Sequence, residues 1–178
     1  SLFTLNTTTE GGMLNYPLSV MGVADRNKKN NVTDMLERPE IKALFPKDMA
    51  FRWSYKPMQD FETREYTDQY MLYAIKKRKG TNTAPLEGDR VVSASVNPDP
   101  QTGEVTVSLG MDNRGAKIWG DMTTKAAQDN NREIAIVLDD EVVSAPRVND
   151  AILSGNSSIS GNFDIQEAKD LANILQVG

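Results

Sequence analysis

Val92-Ser93-Ala94-Ser95-Val96 and Val105-Thr106-Val107-Ser108-Leu109 decide the fold of this 178-residue chain. Each run alternates an apolar with a small polar residue, the period of a strand with one buried face and one wet face. Between them lies Asn97-Pro98-Asp99-Pro100-Gln101-Thr102-Gly103, a run of turn-forming residues. Together they predict an antiparallel hairpin with a long loop. Upstream, Phe51, Trp53 and Tyr55 alternate with Arg52 and Ser54, and Tyr70 to Lys76 is apolar on both faces, as a central strand is. Downstream, Asn113 to Gln128 sets Gly115, Ile118, Trp119, Met122 and Ala126 on one helical stripe. Glu133–Leu138 and Glu141–Ala145 predict a second hairpin about Asp139-Asp140, and Pro146, lacking a ladder donor, marks its second strand as an edge or as ending there. A short strand is expected at Ser157 to Ser160.

Asp164 and Glu167 then form a capping-box pattern ahead of Ile165, Ala168, Leu171, Ala172 and Leu175, which share a helix face. At the other end, the first thirty residues are rich in turn formers and predict a short strand at 2–5 and otherwise loop. Residues 34–45 read as one helix or two, broken at Pro39. Few strand pairs have a crossover helix between them. The predicted class is therefore α+β, a mainly antiparallel sheet with helices packed on one side.

Composition narrows the chemistry. The formal net charge is −5, which argues against nucleic acid or an anionic membrane as the main partner. There is no cysteine and no histidine. Disulfides, thiol nucleophiles, Ser-His-Asp machinery and the usual zinc sites are excluded. No stretch approaches the roughly 20 apolar residues that cross a bilayer.

Six features invite a functional reading. Gly110 to Lys117 lies where a strand gives way to a helix, as a phosphate-binding loop does, but Ala116 separates Gly115 from Lys117 and no hydroxyl residue follows. Asp139, Asp140 and Glu141 gather three carboxylates at a tip, where turn chemistry accounts for them. The 97–103 loop is acidic without calcium-loop spacing. Phe51, Trp53 and Tyr55 fit a core more readily than a stacking platform. Lys76-Lys77-Arg78-Lys79 reads as a solvated strand end. The eight methionines fit core filling or an adaptable binding surface. None of these is a recognisable active site, and no catalytic residue, cofactor or metal is expected.

The second half resembles the SecD family of protein-export subunits. The likeness is carried by Gly115-Ala116-Lys117-Ile118-Trp119, Ile134-Ala135-Ile136-Val137-Leu138-Asp139, Val142-Val143-Ser144-Ala145-Pro146, Ile159-Ser160-Gly161-Asn162-Phe163 and Glu167-Ala168-Lys169-Asp170-Leu171-Ala172. Residues 49–87 are similar to the fused SecD–SecF proteins of Bacteroidetes. The resemblance implies the first periplasmic domain of a multi-pass inner-membrane protein. Residues 1–163 would form its head, and residues 164–178 the amphipathic helix returning to a membrane-proximal base. Gly161, Asn162 and Phe163 would be the hinge. Implied partners are SecF or a fused SecF half, the SecYEG channel and the translocating unfolded preprotein, with the membrane engaged only through flanking segments. The implied role is to assist proton-motive-force-driven export by capturing emerging polypeptide through head–base motion. Strand addition at a sheet edge suits such a role, and the strand ending at Pro146 is one possible edge. The rival readings are a carboxylate-dependent hydrolase of the cell envelope and an assembly domain that touches only partner subunits.

Overall fold

Near the N-terminus β1 (Thr4–Leu5) pairs antiparallel with β2 (Val20–Asp25). The helices α1 (Lys29–Glu37) and α2 (Pro39–Lys42) follow, then β3 (Met49–Trp53) and β4 (Gln69–Lys76). These strands form an antiparallel sheet in the order β1-β2-β4-β3, with β4 inside, as its two apolar faces require. The computed structural model describes residues 1–8, 14, 16–60, 62–160 and 163–177. Val32 of α1 packs with Ala24 and Leu72, and Phe51 and Trp53 close over them.

Two features here differ from the sequence reading. β2 lies in the stretch read as loop: it buries Val20, Val23 and Ala24, but its neighbours are turn formers and it contains Gly22. That glycine is required, because a Cβ would run into Phe3 and the Thr4 carbonyl on β1. The helix begins at Lys29 rather than 34, through weak helix formers Asn30 and Asn31. Burial of Val32 overrides their propensity. Pro39 opens α2 as its first residue, the place where a missing N–H costs nothing.

A 3-10 turn at Gly88–Arg90 leads into β5 (Val91–Pro98), which pairs with β6 (Val105–Met111) as the alternation predicts. Then come α3 (Asn113–Gln128), β7 (Ile136–Leu138), β8 (Glu141–Ser144), β9 (Asn156–Ser160) and α4 (Ile165–Val177). β9 returns to pair antiparallel with β6, giving a three-stranded sheet β5-β6-β9. Val105, Val107, Leu109 and Ile159 are buried on one face of this sheet, and α4 packs on β5 and β6 with Ala168, Leu171, Ala172 and Leu175 buried. Each such leucine removed from water contributes about 1.5–3 kcal/mol.

The sequence reading sends residues 164–178 to a separate base. In the structure the apolar face of α4 is covered by the sheet that precedes it, and Gln176 Nε2 donates to the Ala94 carbonyl at 2.6 Å. The capping box forms in both directions: the Glu167 N–H donates to Asp164 Oδ1, and the Asp164 N–H to Glu167 Oε2, each at 2.8 Å. Asp164→Ala is therefore expected to cost about 1 kcal/mol, measured by urea denaturation, while Asp164→Asn costs a few tenths.

The segment between β8 and β9 has no regular structure, yet it is well held. It runs back along α3 over a stripe of small residues. Val148 N–H donates to the Arg132 carbonyl, Leu153 rests against Gly120, and Gly155 lies against Ala116. Fully buried Thr123 fastens the middle: its hydroxyl donates to the Trp119 carbonyl at 2.8 Å and accepts the Ile152 N–H at 2.9 Å.

The class is α+β with antiparallel pairing, as read from sequence, but the strands form three sheets. The third is the β7–β8 hairpin. The chain divides into two compact units, one made of Ser1–Asn82 with Ile136–Val143, the other of Thr83–Ala135 with the chain from Ser144 onward. The β7–β8 tip thus belongs to the first unit although both its ends continue into the second.

Candidate functional site

The uncovered face of the β5-β6-β9 sheet is built almost wholly from small polar residues. Residues two apart on a strand share a face, so the registers place three rows there: Asn97–Thr106–Ser160, Ser95–Ser108–Ser158 and Ser93–Gly110–Asn156. Asn97 Nδ2 donates to Ser108 Oγ at 2.5 Å within this face. A Cβ at Gly110 in the third row would meet Ser93 Oγ, so a larger residue there would turn the Ser93 side chain aside. The second and third rows line an open groove of about 690 Å³, with Ile152 also in its wall. Such a face offers hydroxyl and amide groups without charge and without bulk.

Beside this face runs an open sheet edge. The Asp99 N–H donates to the Glu104 carbonyl at 2.7 Å, and the Asp112 N–H to the Arg90 carbonyl at 3.0 Å. These bonds fix the phase of the ladder. Ser93, Ser95 and Asn97 turn their backbone groups toward β6, while Ala94, Val96 and Pro98 turn theirs outward. The Ala94 carbonyl accepts Gln176. Among the described residues the Val96 N–H and C=O and the Ala94 N–H have no partner. Pro98, which lacks an N–H, occupies an outward position, where proline is tolerated. The edge anticipated at Pro146 is partly taken instead: the Val142 carbonyl of β8 accepts the Tyr55 N–H at 2.9 Å, and the Pro146 carbonyl accepts the Ile134 N–H at 3.1 Å. Pro98 carried the same signal as Pro146 and stands in the sequence as part of a loop.

The remaining candidates resolve into structure. At the strand-to-helix turn, Asp112 caps α3, and its Oδ1 accepts the Gly115 N–H at 2.6 Å, so a carboxylate occupies the place a phosphate would need. Arg90 pairs with it at 3.1 Å. The Gly115 N–H chiefly, with the Arg90 guanidinium, holds the Asp112 carboxyl below the usual carboxylate value of 3.8. A depressed folded pKa contributes stability that is present above the unfolded pKa and lost as pH falls through the folded one. Asp112→Asn keeps a capping oxygen but not the charge. It is expected to flatten the acid limb of the stability profile as pH falls below the ordinary carboxylate range, followed by urea midpoints.

Asp139 and Asp140 both have positive φ, 47° and 64°, the backbone of a tight hairpin turn. Asp140 faces Arg52 at 3.3 Å and Glu141 faces Lys29 at 3.9 Å, so the three carboxylates do not converge on one another. Asp99 Oδ1 accepts the Gln101 and Thr102 N–H groups and is spent on its own loop. Phe51 and Trp53 are core, and Tyr55 is exposed. Trp53 Nε1 donates to Thr33 Oγ1, while the Lys29 ammonium stacks 4.1 Å from the Tyr70 ring centroid. Burial lowers the Lys29 pKa, with Glu141 pulling the other way. Lys76 ends β4 beside Asp48, and Lys77, just past the strand, donates to Asn82. The seven methionines among the described residues are all half-buried, which fits core filling. Of the expected hinge, Gly161 and Asn162 lie outside the described residues, and Phe163 is half-buried. No group of carboxylates that could hold a metal ion is present among the described residues, nor any helix long and apolar enough to cross a membrane.

Fold and surface together define an antiparallel α+β domain that presents a polar sheet face and an open edge. The sequence profile of the family described as SecDF, P1 head subdomain, matches residues 62–178, and the chain belongs to that family. It is 42% identical over 106 residues to protein translocase subunit SecD of Calditerrivibrio nitroreducens, covering 60% of this chain and 19% of that one. Over 159 residues it is 31% identical to SecD of Rhodothermus marinus, covering 89% of this chain and 24% of that one. The chain thus spans about a fifth to a quarter of these relatives' length. Among solved structures it is similar to SecDF in a super-membrane-facing form, with TM-score 0.49 and 20% identity over 89% of this chain and 21% of that one. It is also similar to a membrane component SecDF that enhances protein export, with TM-score 0.48 and 19% identity over 96% of this chain and 76% of that one. The family is one of translocase accessory subunits.

Proposed function

We propose that this chain is the periplasmic head of a Sec translocase accessory subunit and holds emerging unfolded polypeptide during proton-motive-force-driven export. The observation that carries this reading is the family match over residues 62–178, which includes the whole β5-β6-β9 sheet with its uncharged, hydroxyl-lined face. A surface that must hold many sequences in turn is served by small, uncharged groups that neither select nor repel a side chain. The partners in this reading are SecF or a fused SecF half, the SecYEG channel and the preprotein. Gly161, Asn162 and Phe163 serve as the joint from which residues 164–178 lead toward a base. Because α4 packs on β5 and β6, movement at that joint requires α4 to leave the sheet. A disulfide engineered between α4 and β5 then slows export under oxidising conditions and releases it on reduction; unimpaired export ends the hinge role.

Photo-crosslinkers placed singly at Ser95, Ser108 and Ser158 in the full chain test the holding role. In a stalled export intermediate they form adducts with the translocating chain. If no position on the domain gives an adduct while partner subunits still co-purify, the role is assembly and not capture.

A further inference from the structure

An edge strand is a template. Its outward N–H and C=O groups alternate along the strand, and another extended backbone carries the matching alternation. Proteins blunt such edges with prolines, bulges, charges or covering side chains. β5 is blunted at both ends, by a register shift between Val91 and Ser93 and by Pro98. Its middle, from Ala94 to Val96, carries no charge and leaves three backbone groups without a partner among the described residues. Among the described residues one side chain reaches the row: the primary amide of Gln176, from the last turn of α4, donates to the Ala94 carbonyl as a peptide N–H would.

We infer that the middle of the β5 outer edge takes up an extended segment of unfolded polypeptide as an added strand, and that the Gln176 amide occupies the edge until such a segment displaces it. This deepens the holding role and rests on it. The groups that flank an added strand are small: Ser95 and Asn97 on the open face, Ala94 on the covered one. Affinity then comes from main-chain hydrogen bonds and depends little on sequence. Pro98 sets where pairing stops, since the next outward donor is missing.

The test uses the full chain and a fluorescein-labelled, unstructured peptide of Ser, Thr and Val, with binding read by anisotropy. Val96→Pro removes an outward donor and leaves the ladder to β6 intact, because the Val96 N–H faces away from it. It is expected to weaken binding about tenfold. Gln176→Ala uncovers the Ala94 carbonyl and tightens binding about threefold. The second measurement needs no variant. The same peptide N-methylated at every residue loses binding, whereas methylation at alternate residues leaves one competent edge and retains it. If Val96→Pro and the fully methylated peptide both bind within about twofold of the parent pair, the edge is not the site, although the holding role stands. If the unmodified peptide does not bind the full chain at all, the holding role and the edge fall together.

Discussion

Gly155→Ala is expected to lower the stability of the second unit by about 3 kcal/mol, the sum of a backbone and a contact cost. Gly155 has φ +74°, the left-handed region, where an L residue costs about 1–2 kcal/mol. A Cβ there would also stand 2.7 Å from the Ala116 Cβ on α3, and relieving such a clash costs about 1–3 kcal/mol. The two contributions separate experimentally. Gly155→Ala combined with Ala116→Gly removes the contact and keeps the strained backbone, so a double-mutant cycle should return an interaction energy of about 1 kcal/mol or more. Urea denaturation followed by Trp119 fluorescence reads the second unit. A loss under about 0.5 kcal/mol for the single substitution would mean that the segment before β9 does not lie against α3.

Thr123→Val is expected to cost about 2 kcal/mol although shape and volume barely change. The Thr123 side chain is fully buried, and its hydroxyl accepts the Ile152 N–H while donating to a carbonyl of its own helix. Valine leaves that N–H without an acceptor inside the protein, and the desolvation cost is then felt in full. Thr123→Ser keeps the hydroxyl, loses a methyl and costs about 1 kcal/mol. Hydrogen exchange gives the local readout: the Ile152 amide should exchange faster in the valine variant and stay protected in the serine one. Equal protection in both would place the anchor elsewhere along the segment.

Sequence reasoning reached the parts of this structure whose causes are local. The alternation at 92–96 and 105–109 produced β5 and β6, the stripe from Asn113 produced α3 with its observed ends, and Asp164 with Glu167 produced the reciprocal cap. The positive φ at Asp139 and Asp140 bears out turn chemistry as the reason for two aspartates there. What stayed hidden depends on partners distant in sequence. β2 is a strand because β4 supplies its ladder and α1 its cover, and neither can be inferred from VMGVAD itself. The segment over α3 has no periodicity to detect, since its order comes from Gly120, Thr123 and Ala116 on another element. The open edge was legible in part. Proline flags edge strands, yet two prolines qualified, and only the ladder phase distinguishes Pro98, at an open edge, from Pro146, at an occupied one.

One consequence follows for anyone dissecting this protein by gene fragments. A cut after Asn82 deprives the upstream fragment of the 136–143 hairpin, and a fragment starting at Thr83 carries that hairpin without the Ser54 bridge and the Lys29 and Arg52 ion pairs that tie it to the first unit. Neither piece encodes a whole folding unit. Mixing the two pieces, or grafting residues 136–143 behind the upstream one through a short linker, is the route to a separately folded first unit.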